Sequence, residues 1–521
     1  MKTSEEKLVE SSQAPQFVQG MGLYSATAIV MGSMIGSGIF IVSADMSRTL
    51  GSPALLIAAW MVTAVMTIIG ALSYGELAAM MPKAGGQYVY LREALGPLWG
   101  FLYGWTLFLV IQTGTIAAVG VGFGKFLGVF FPSVSASNWL WHIGRVRAWH
   151  VGPMILGNMD IGINTANLAA IIIITLLTLL NTFGVKMGAA VQNLFTTAKV
   201  LALAAVVLVG VVVRNPAAIA ANFGAGWHNF WAGWGTLHPS QPGGTEYVGL
   251  LTIVAIVQVG SLFSADAWNN VTFTAGEIRN PKRNLPLSLV IGTGVVLLLY
   301  VLCNFVYLSV LPLIGDPHGT TIVERGIQYA QEDRVATAVM ERAFTGYGAK
   351  LMAVAILIST FGCVNGMLLA GARVYYAMSR DGLFFKSVGK LSEKSKTPVN
   401  SLWVQCVWAC LLCISGSYGQ LLDYVIFAVL VFYILTIIGL FVLRRTRPDA
   451  PRPYRAFGYP VLPALYIVMA TWICLVLLRY KPQYTWPGLI LVLLGVPVYL
   501  VWRRQGIAVD AEAARLEVSG T

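Results

Sequence analysis

Long apolar stretches alternate with short polar ones along almost the whole chain. A helix crosses a bilayer core of about 30 Å with roughly 20 apolar residues, and about twelve stretches reach that length on this criterion. The pattern therefore predicts an all-α polytopic membrane protein. The predicted spans are 21–46, 53–80, 97–131, 160–181, 190–213, 249–277, 286–313, 349–379, 399–417, 420–443, 461–480 and 486–502.

Composition agrees with this pattern. Hydrophobic residues make up 57% of the chain and charged residues 11%, against roughly 25% charged in soluble domains. The net charge of +12 comes from basic residues spread over loops, which does not indicate nucleic-acid binding. All six cysteines fall in apolar spans, so no disulfide framework or metal-binding spacing is indicated.

Basic residues also indicate orientation. They concentrate in 279–283, 380–396 and 444–455, all on the side that carries the N-terminus. The positive-inside rule then places both termini in the cytoplasm, with tails at 1–20 and 503–521. The first twenty residues lack the apolar core of a signal peptide.

Histidine placement argues against an enzyme. All five histidines fall in predicted outer loops, away from the membrane interior, and no catalytic cluster is visible. We therefore expect no enzyme activity, cofactor or bound metal. A channel is disfavoured too, because no continuous polar stripe or filter motif is present. The histidines are His142, His150, His228, His238 and His318.

The first span contains three glycines, Gly32, Gly36 and Gly38, within seven residues. Each costs roughly 1 kcal/mol of helix stability relative to alanine, so the helix can unwind here. Unwound backbone at membrane depth is tolerated only where it is buried in protein or lines a cavity. The alternative is close helix packing through a GxxxG pair.

The sixth span has a second candidate break at 260–270, where serines, asparagines and Asp266 interrupt an apolar run. Two breaks five spans apart are typical of inverted repeats around a midplane site. These repeats would be 21–213 and 249–443, followed by two further helices at 461–502. Asp266 either caps the next half-helix or contacts the substrate.

Two broken helices suit an α-amino acid. The half-helices expected to begin near Ser37 and Ala267 present free N–H groups that can bind a carboxylate. The half-helices before them end in free carbonyls that can accept from an ammonium group. These carbonyls belong to Met34, Ile35, Phe263 and Ser264.

Lys199 lies roughly 13 Å inside the fifth span, from a rise of 1.5 Å per residue. A charge at this depth costs at least ~2.5 kcal/mol, so we expect a functional role rather than simple exposure to a vestibule. Lys125 and Arg373 lie near span ends, where snorkelling explains them. Glu76 and Glu277 are expected to pair at the membrane interface.

Four motifs, in order, resemble the amino acid–polyamine–organocation superfamily and most closely its L-type amino acid transporters with their bacterial relatives. The resemblance runs from Gly22 to Arg445. The motifs are GSMIGSGIF, YGEL with PKAGG, LFSADAWNN with GEIRNPKRNLP, and FGCVNGMLLAGARVYYAMSRDG.

This resemblance implies the five-plus-five inverted-repeat (LeuT-type) fold, alternating access and sodium-independent amino-acid exchange. It implies that Ser37 and Gly38 bind the substrate carboxylate and that Lys199 replaces a sodium ion between the first and eighth helices. The Phe263 ring would be an outer gate, and Asn365 would line the pocket. Backbone carbonyls for the amine would come from Ile35, Phe263, Ser264 and Asp266.

Two features differ from that family's pattern. Asp266 and Ala267 stand where many L-type transporters have glycine, which changes the polarity of the subsite. The loop after the third span lacks the cysteine that links animal relatives to a heavy chain, so no disulfide-linked partner is expected.

The sequence thus predicts a sodium-independent exchanger of neutral amino acids in a cell membrane, the inner membrane if the source is bacterial. Its expected partners are the amino-acid substrate and the lipid bilayer. Three alternatives stay open: a proton-coupled symporter with Lys199 as the titrating group, a cationic amino-acid or polyamine exchanger using Asp266, and a sensor that binds amino acids without transporting them.

Overall fold

The computed structural model describes residues 17–519 except 148, 152–153, 157–158 and 415–417. The predicted N-terminal tail up to residue 16 and the end of the predicted ninth span at 415–417 lie outside the described residues. The helices of the first half are α1 (Leu23–Met34), α2 (Gly38–Leu50), α3 (Pro53–Met80), α4 (Gln87–Leu95), α5 (Pro97–Thr106), α6 (Gln112–Leu127), α7 (Thr165–Thr182), α8 (Val185–Val212) and α9 (Pro216–Asn222).

The second half is built in the same way, from long apolar helices separated by short ones. Its helices are α10 (Leu250–Ser264), α11 (Asn270–Phe273), α12 (Pro281–Val310), α13 (Ile322–Arg325), α14 (Val335–Ala343), α15 (Gly348–Arg380), α16 (Val399–Ile414), α17 (Tyr418–Thr446), α18 (Val461–Tyr480) and α19 (Pro482–Ser519).

Ten helical segments among the described residues are long and apolar enough to cross a bilayer, with α1 and α2 counted as one. Two shorter apolar helices, α10 and α16, lie where the sixth and ninth spans were predicted. Each predicted span therefore corresponds to a helix, and the prediction of an all-α polytopic membrane protein is confirmed.

Three small antiparallel hairpins were not predicted. Strand β1 (Trp139–Val146) pairs with β4 (Met159–Asn164), and β2 (Trp149–Val151) pairs with β3 (Met154–Leu156). The short pair β5 (His238–Pro239) and β6 (Tyr247–Val248) lies in the second long loop. Aromatic and β-branched residues, which favour extended backbone, are frequent in β1.

The start of the predicted fourth span is wrong, since its first residues belong to β4. Helix α7 begins only at Thr165. The Asn164 side chain accepts a hydrogen bond from the Asn167 N–H at 2.8 Å and so caps the helix at this point. Asn164 is extended, with φ −96° and ψ 169°, which ends the strand and begins the helix at one residue.

Packing places the two interrupted helices between two groups of long helices. Helix α12 packs against α3 and α1, while α15 packs against α8 and α6. Helix α1 also contacts α8 and α15, and α2 contacts α10. The breaks after α1 and α10 therefore lie in the protein interior, where irregular backbone at membrane depth is tolerated.

Candidate functional site

The first helix is interrupted where the sequence predicted. Helix α1 ends at Met34, Ile35 has φ −77° and ψ 89°, and α2 begins at Gly38 with Ser37 as its N-cap. Ile35 and Ser37 are both fully buried. The unwound turn therefore presents main-chain polar groups to the protein interior rather than to lipid.

The second interruption is longer than expected. Helix α10 ends at Ser264 and the next helical turn, α11, begins at Asn270, three residues after the start expected near Ala267. Ala267 has φ +62°, a left-handed conformation that costs a non-glycine residue about 1–3 kcal/mol. Helical backbone therefore cannot resume at Ala267, and the next helical turn begins later.

The two breaks touch each other. A Cβ placed on Gly38 would lie 2.9 Å from Ser264 Cβ and 3.0 Å from Ser264 Cα, so only glycine allows this approach. The Tyr300 hydroxyl of α12 lies 3.1 Å from the Met34 carbonyl and 3.0 Å from the Ser264 carbonyl. Tyr300 therefore connects the ends of both preceding half-helices.

Lys199 lies beside the first break and is fully buried. Its ammonium donates to three backbone carbonyls, those of Gly32 at 2.6 Å, Ile35 at 2.8 Å and Ser359 at 3.1 Å. Gly32 and Ile35 belong to the first interrupted helix and Ser359 to α15, so the lysine joins the first and eighth spans. Carbonyl oxygens around a buried positive charge make the environment of a bound cation, here supplied by a side chain.

Serine and glycine residues of α15 complete this arrangement. The Ser359 hydroxyl donates to the Ile35 carbonyl at 3.0 Å and lies 3.2 Å from the Gly36 carbonyl. A Cβ on Gly362 would lie 2.8 Å from Phe195 Cβ and 3.3 Å from Lys199 Cε. The glycine therefore allows α8, which carries both residues, to pack closely on α15.

Most carbonyls expected to receive the substrate amine have partners within the protein. The Ile35 carbonyl accepts from Lys199, the Ser264 carbonyl from Tyr300 and the Phe263 carbonyl from the Asp266 N–H at 3.2 Å. Phe263 is 7% exposed. A substrate amine would use a remaining lone pair of such a carbonyl or replace one of these donors.

Asp266 lines a small cavity beside the second break, together with Gln112, Thr115 and Asn270. The cavity volume is about 10 Å³, room for about one water molecule. Tyr433 of α17 donates to the Asp266 carboxylate at 2.6 Å. No side-chain cap of α11 is present, so the geometry favours the cavity-facing reading of Asp266.

The helical segment between α5 and α6 is locally underwound beside this cavity. A π-helical turn, Leu107–Ile111, separates α5 from α6, and both of its end residues line the cavity. Turns of this kind are frequent at functional sites because they redirect side chains. Here the turn brings Gln112 and Thr115 to face Asp266.

Asn365 does not line this cavity. Its side chain accepts from Asn181 at 2.8 Å and donates to Gln192 at 3.1 Å, and Gln192 in turn lies 3.4 Å from the Ala28 carbonyl of α1. These amides connect four helices, with Thr196 also bonded to the Ala28 carbonyl at 3.0 Å. The pocket-lining role implied for Asn365 stays a prediction.

The snorkelling interpretation of Arg373 is wrong. Arg373 forms an ion pair with Glu277 at 2.9 Å, and both side chains are 1% exposed. The pair joins α15 to the 3₁₀ turn Ala275–Glu277. The buried Glu277 carboxylate holds the guanidinium inside the protein, whereas a snorkelling side chain keeps its charge in water. Neither segment of the sequence indicates that these two residues meet.

Glu76 does pair near a span end. Its buried carboxylate receives Arg444 at 2.9 and 2.6 Å and the Ala456 N–H at 2.7 Å. Arg452 lies 3.2 Å away. These contacts of Glu76 connect α3 to the end of α17 and to the loop that follows it.

Tyr300 was missed by sequence reasoning. It belongs to a set with Asn304 and Tyr307, spaced four and three residues apart, which places all three on one face of α12. Tyr307 lies 3.3 Å from the Ile39 carbonyl, and Asn304 accepts from Ser43 at 2.7 Å. Polar side chains at helical spacing inside an apolar span were the signal.

Two interrupted helices with free main-chain groups inside the membrane domain are typical of secondary transporters rather than of channels or enzymes. Comparison with known families agrees: the amino acid permease family matches residues 21–499. The chain belongs to that family, and it is an amino-acid transporter.

Two kinds of curated relatives are similar over nearly the whole chain. Large neutral amino acids transporter small subunit 2 of Rattus norvegicus is 29% identical over 482 residues, covering 92% of this chain and 80% of the relative; the Homo sapiens protein of that name gives the same figures. The b(0,+)-type amino acid transporter 1 of Rattus norvegicus is 28% identical over 501 residues, covering 95% of this chain and 90% of the relative.

Proposed function

We propose that the chain is a sodium-independent exchanger of neutral amino acids that works by alternating access. The observation that carries this proposal is the Lys199 ammonium, bound to three backbone carbonyls at 2.6–3.1 Å. A sodium ion at this position would need the same oxygens. Because the lysine cannot leave, the site needs no ion from solution to hold the first and eighth spans together.

The substrate site would lie between the two breaks. The α-carboxylate would bind N–H groups at the start of α2, at Ser37 and Gly38, where the helix dipole favours an anion. Its ammonium would take carbonyls of the Ile35 and Phe263–Asp266 segments, and the Phe263 ring would close over it. In the present arrangement Gly38 packs on Ser264, so the breaks separate when substrate enters.

The repeat organisation and orientation belong to the same proposal. Residues 21–213 and 249–443 would form the two inverted repeats, with 461–502 as two further helices. The basic loops support a cytoplasmic location for both termini, and the membrane would be the inner membrane of a bacterium. Loop 314–347, between α12 and α15, is then extracellular.

Uptake into proteoliposomes tests the exchange proposal. Labelled alanine or leucine should enter vesicles preloaded with unlabelled amino acid, and should not enter empty ones. Neither a sodium gradient nor a proton gradient should change the rate. Uptake into empty vesicles driven by a proton gradient would instead establish a symporter, with Lys199 as the candidate titrating group.

A matched pair of variants tests the role of the lysine. Lys199→Ala removes the donor of three buried carbonyls, each of which costs about 1–3 kcal/mol when unsatisfied. We expect exchange to be lost, or to become dependent on added sodium if the ion can enter the space. Lys350→Ala, near the start of α15, is the control and should transport normally. Normal sodium-free exchange by Lys199→Ala would contradict the proposal.

A cationic substrate is the second candidate, and Asp266 is the observation that favours it. The carboxylate lines the cavity beside the break and has one side-chain hydrogen-bond donor, Tyr433. The cationic side chain of a substrate could replace Tyr433 as the partner of the Asp266 carboxylate. Asp266→Asn should then abolish uptake of labelled arginine while leaving leucine uptake within a few-fold of wild type; no arginine uptake by the wild type excludes this candidate.

A further inference from the structure

A second cleft, larger than the cavity beside the breaks, lies on the face proposed as extracellular. Its volume is about 250 Å³, and it shares no lining residue with the cavity that contains Asp266. Residues of loop 314–347 form most of its wall, with the end of α6 and the start of α15 completing it. None of the residues expected to bind the transported amino acid lies in this cleft.

Arg334 contributes an incompletely paired guanidinium to the cleft. Its Nη2 donates to Glu332 at 2.5 Å and to the Lys125 carbonyl at 3.1 Å, and the group lies over the Phe126 ring. Its Nε is buried and has no hydrogen-bond acceptor among the described residues. Burial lowers the pKa of Arg334 from its ordinary value, and the charge of Glu332 opposes this shift.

Two more donors line the same space. The Thr337 hydroxyl is buried and has no hydrogen-bond partner in the described part of the chain. Thr337 lies in the first turn of α14, three residues after Arg334, so both residues are on the same face. Arg325 donates through Nε to the Gly319 carbonyl at 2.7 Å and forms no ion pair with any described residue. The unmet capacity of the cleft is therefore mainly for hydrogen-bond donation.

The carboxylate that lines the cleft already accepts two hydrogen bonds from the main chain. Glu341 accepts hydrogen bonds from the Gly346 N–H at 2.5 Å and the Ala349 N–H at 2.7 Å. These contacts direct both carboxylate oxygens toward the start of α15. Arg334 pairs with Glu332, which does not line the cleft, and Arg325 forms no ion pair with a described residue.

We propose that this cleft binds a small carboxylate, with its oxygens accepting hydrogen bonds from Arg334, Arg325 and Thr337. Charge-assisted bonds from a guanidinium to a carboxylate are about twice as strong as neutral ones, and the planar fork of arginine matches the two oxygens. The volume admits a monocarboxylate of a few carbon atoms. Such a ligand supplies the acceptors that the protein itself does not.

The position of the cleft gives this ligand a consequence for transport. Asp333, next to Arg334, accepts from Arg48 at the end of α2 at 2.6 Å, while Arg334 holds the end of α6. Glu332 and Asp333 both have positive φ, 51° and 61°, a strained conformation that packing on both sides must maintain. A bound carboxylate would keep Arg334 in its contact with the Lys125 carbonyl at the end of α6. It would thereby favour the present arrangement of this face, in which loop 314–347 contacts both α2 and α6.

Thermal unfolding of the purified full chain in detergent tests binding. Sodium acetate should raise the unfolding temperature at constant ionic strength, whereas sodium chloride and glycinamide, which lack a carboxylate, should not. Thr337→Val and Arg334→Lys should raise the half-saturating acetate concentration by about tenfold, the loss of one charge-assisted bond. Arg342→Gln, on the exposed side of α14, is the matched control and should respond as wild type.

Transport supplies the second readout. Acetate should lower the maximum exchange rate of the wild type without changing the KM for leucine, and the same concentration should slow Thr337→Val and Arg334→Lys less. Equal stabilisation by chloride, or a wild-type acetate response in both cleft variants, would overturn the binding site. Binding without any slowing of exchange would overturn its proposed effect on closure.

Discussion

The buried ion pair between Arg373 and Glu277 gives the most direct prediction of stability. Arg373→Met fills a similar volume but leaves the Glu277 carboxylate 1% exposed and without its cation. Breaking a buried pair on one side costs about 3–5 kcal/mol, while replacing both members with apolar residues is often close to neutral. We therefore expect the single variant to be strongly destabilised and the double variant Arg373→Met/Glu277→Leu to recover most of the loss.

The assay is the free energy of unfolding in detergent for the wild type, both single variants and the double variant. Arg479→Met is the control, because Arg479 pairs with Glu246 at 3.1 Å with side chains 67% and 50% exposed, and an exposed pair contributes about 0–1 kcal/mol. A loss in Arg373→Met no larger than that of the control would refute the reasoning. So would a double variant that is less stable than either single one.

Two further variants test the contacts at the breaks. Tyr300→Phe removes the hydroxyl near two break carbonyls. A loss of roughly 1–3 kcal/mol should lower the exchange rate, measured as counterflow, by about 5- to 150-fold. Tyr307→Phe, whose bond is longer at 3.3 Å, should have a smaller effect. Gly362→Ala places a Cβ 2.8 Å from Phe195 Cβ and 3.3 Å from Lys199 Cε, so α8 must shift and exchange should fall. Gly294→Ala, with open space around it, should be active, and equal activity of the two variants would contradict this.

The interrupted helices were predictable from sequence because their cause is local. Three glycines in one span and a polar run with Asp266 in another weaken helical backbone wherever they occur. Lys199 could also be singled out, since the cost of a charge at that depth needs no knowledge of its neighbours. What the sequence could not supply was the identity of the oxygens that receive its ammonium.

The features that were missed depend on contacts between distant parts of the chain. Arg373 and Glu277 are 96 residues apart, and nothing in either segment indicates that they meet. The delayed start of α11 follows from the backbone of Ala267, a residue that adopts positive φ only under the constraint of its surroundings. Strand β4 was missed because it runs directly into α7, so that its apolar residues were counted as the start of the predicted fourth span.

The contacts at the breaks also bear on why exchange, rather than one-way transport, follows from the proposed mechanism. Lys199 and Tyr300 already satisfy the Ile35 and Ser264 carbonyls, so the closed arrangement is stabilised by groups that never leave the protein. A substrate shifts such an equilibrium only by the difference in its affinity for the two conformations. No coupling ion contributes on this proposal, so contacts with the amino acid itself must lower the barrier between the two faces. A carrier without substrate then reorients slowly, and the step back requires a second amino acid.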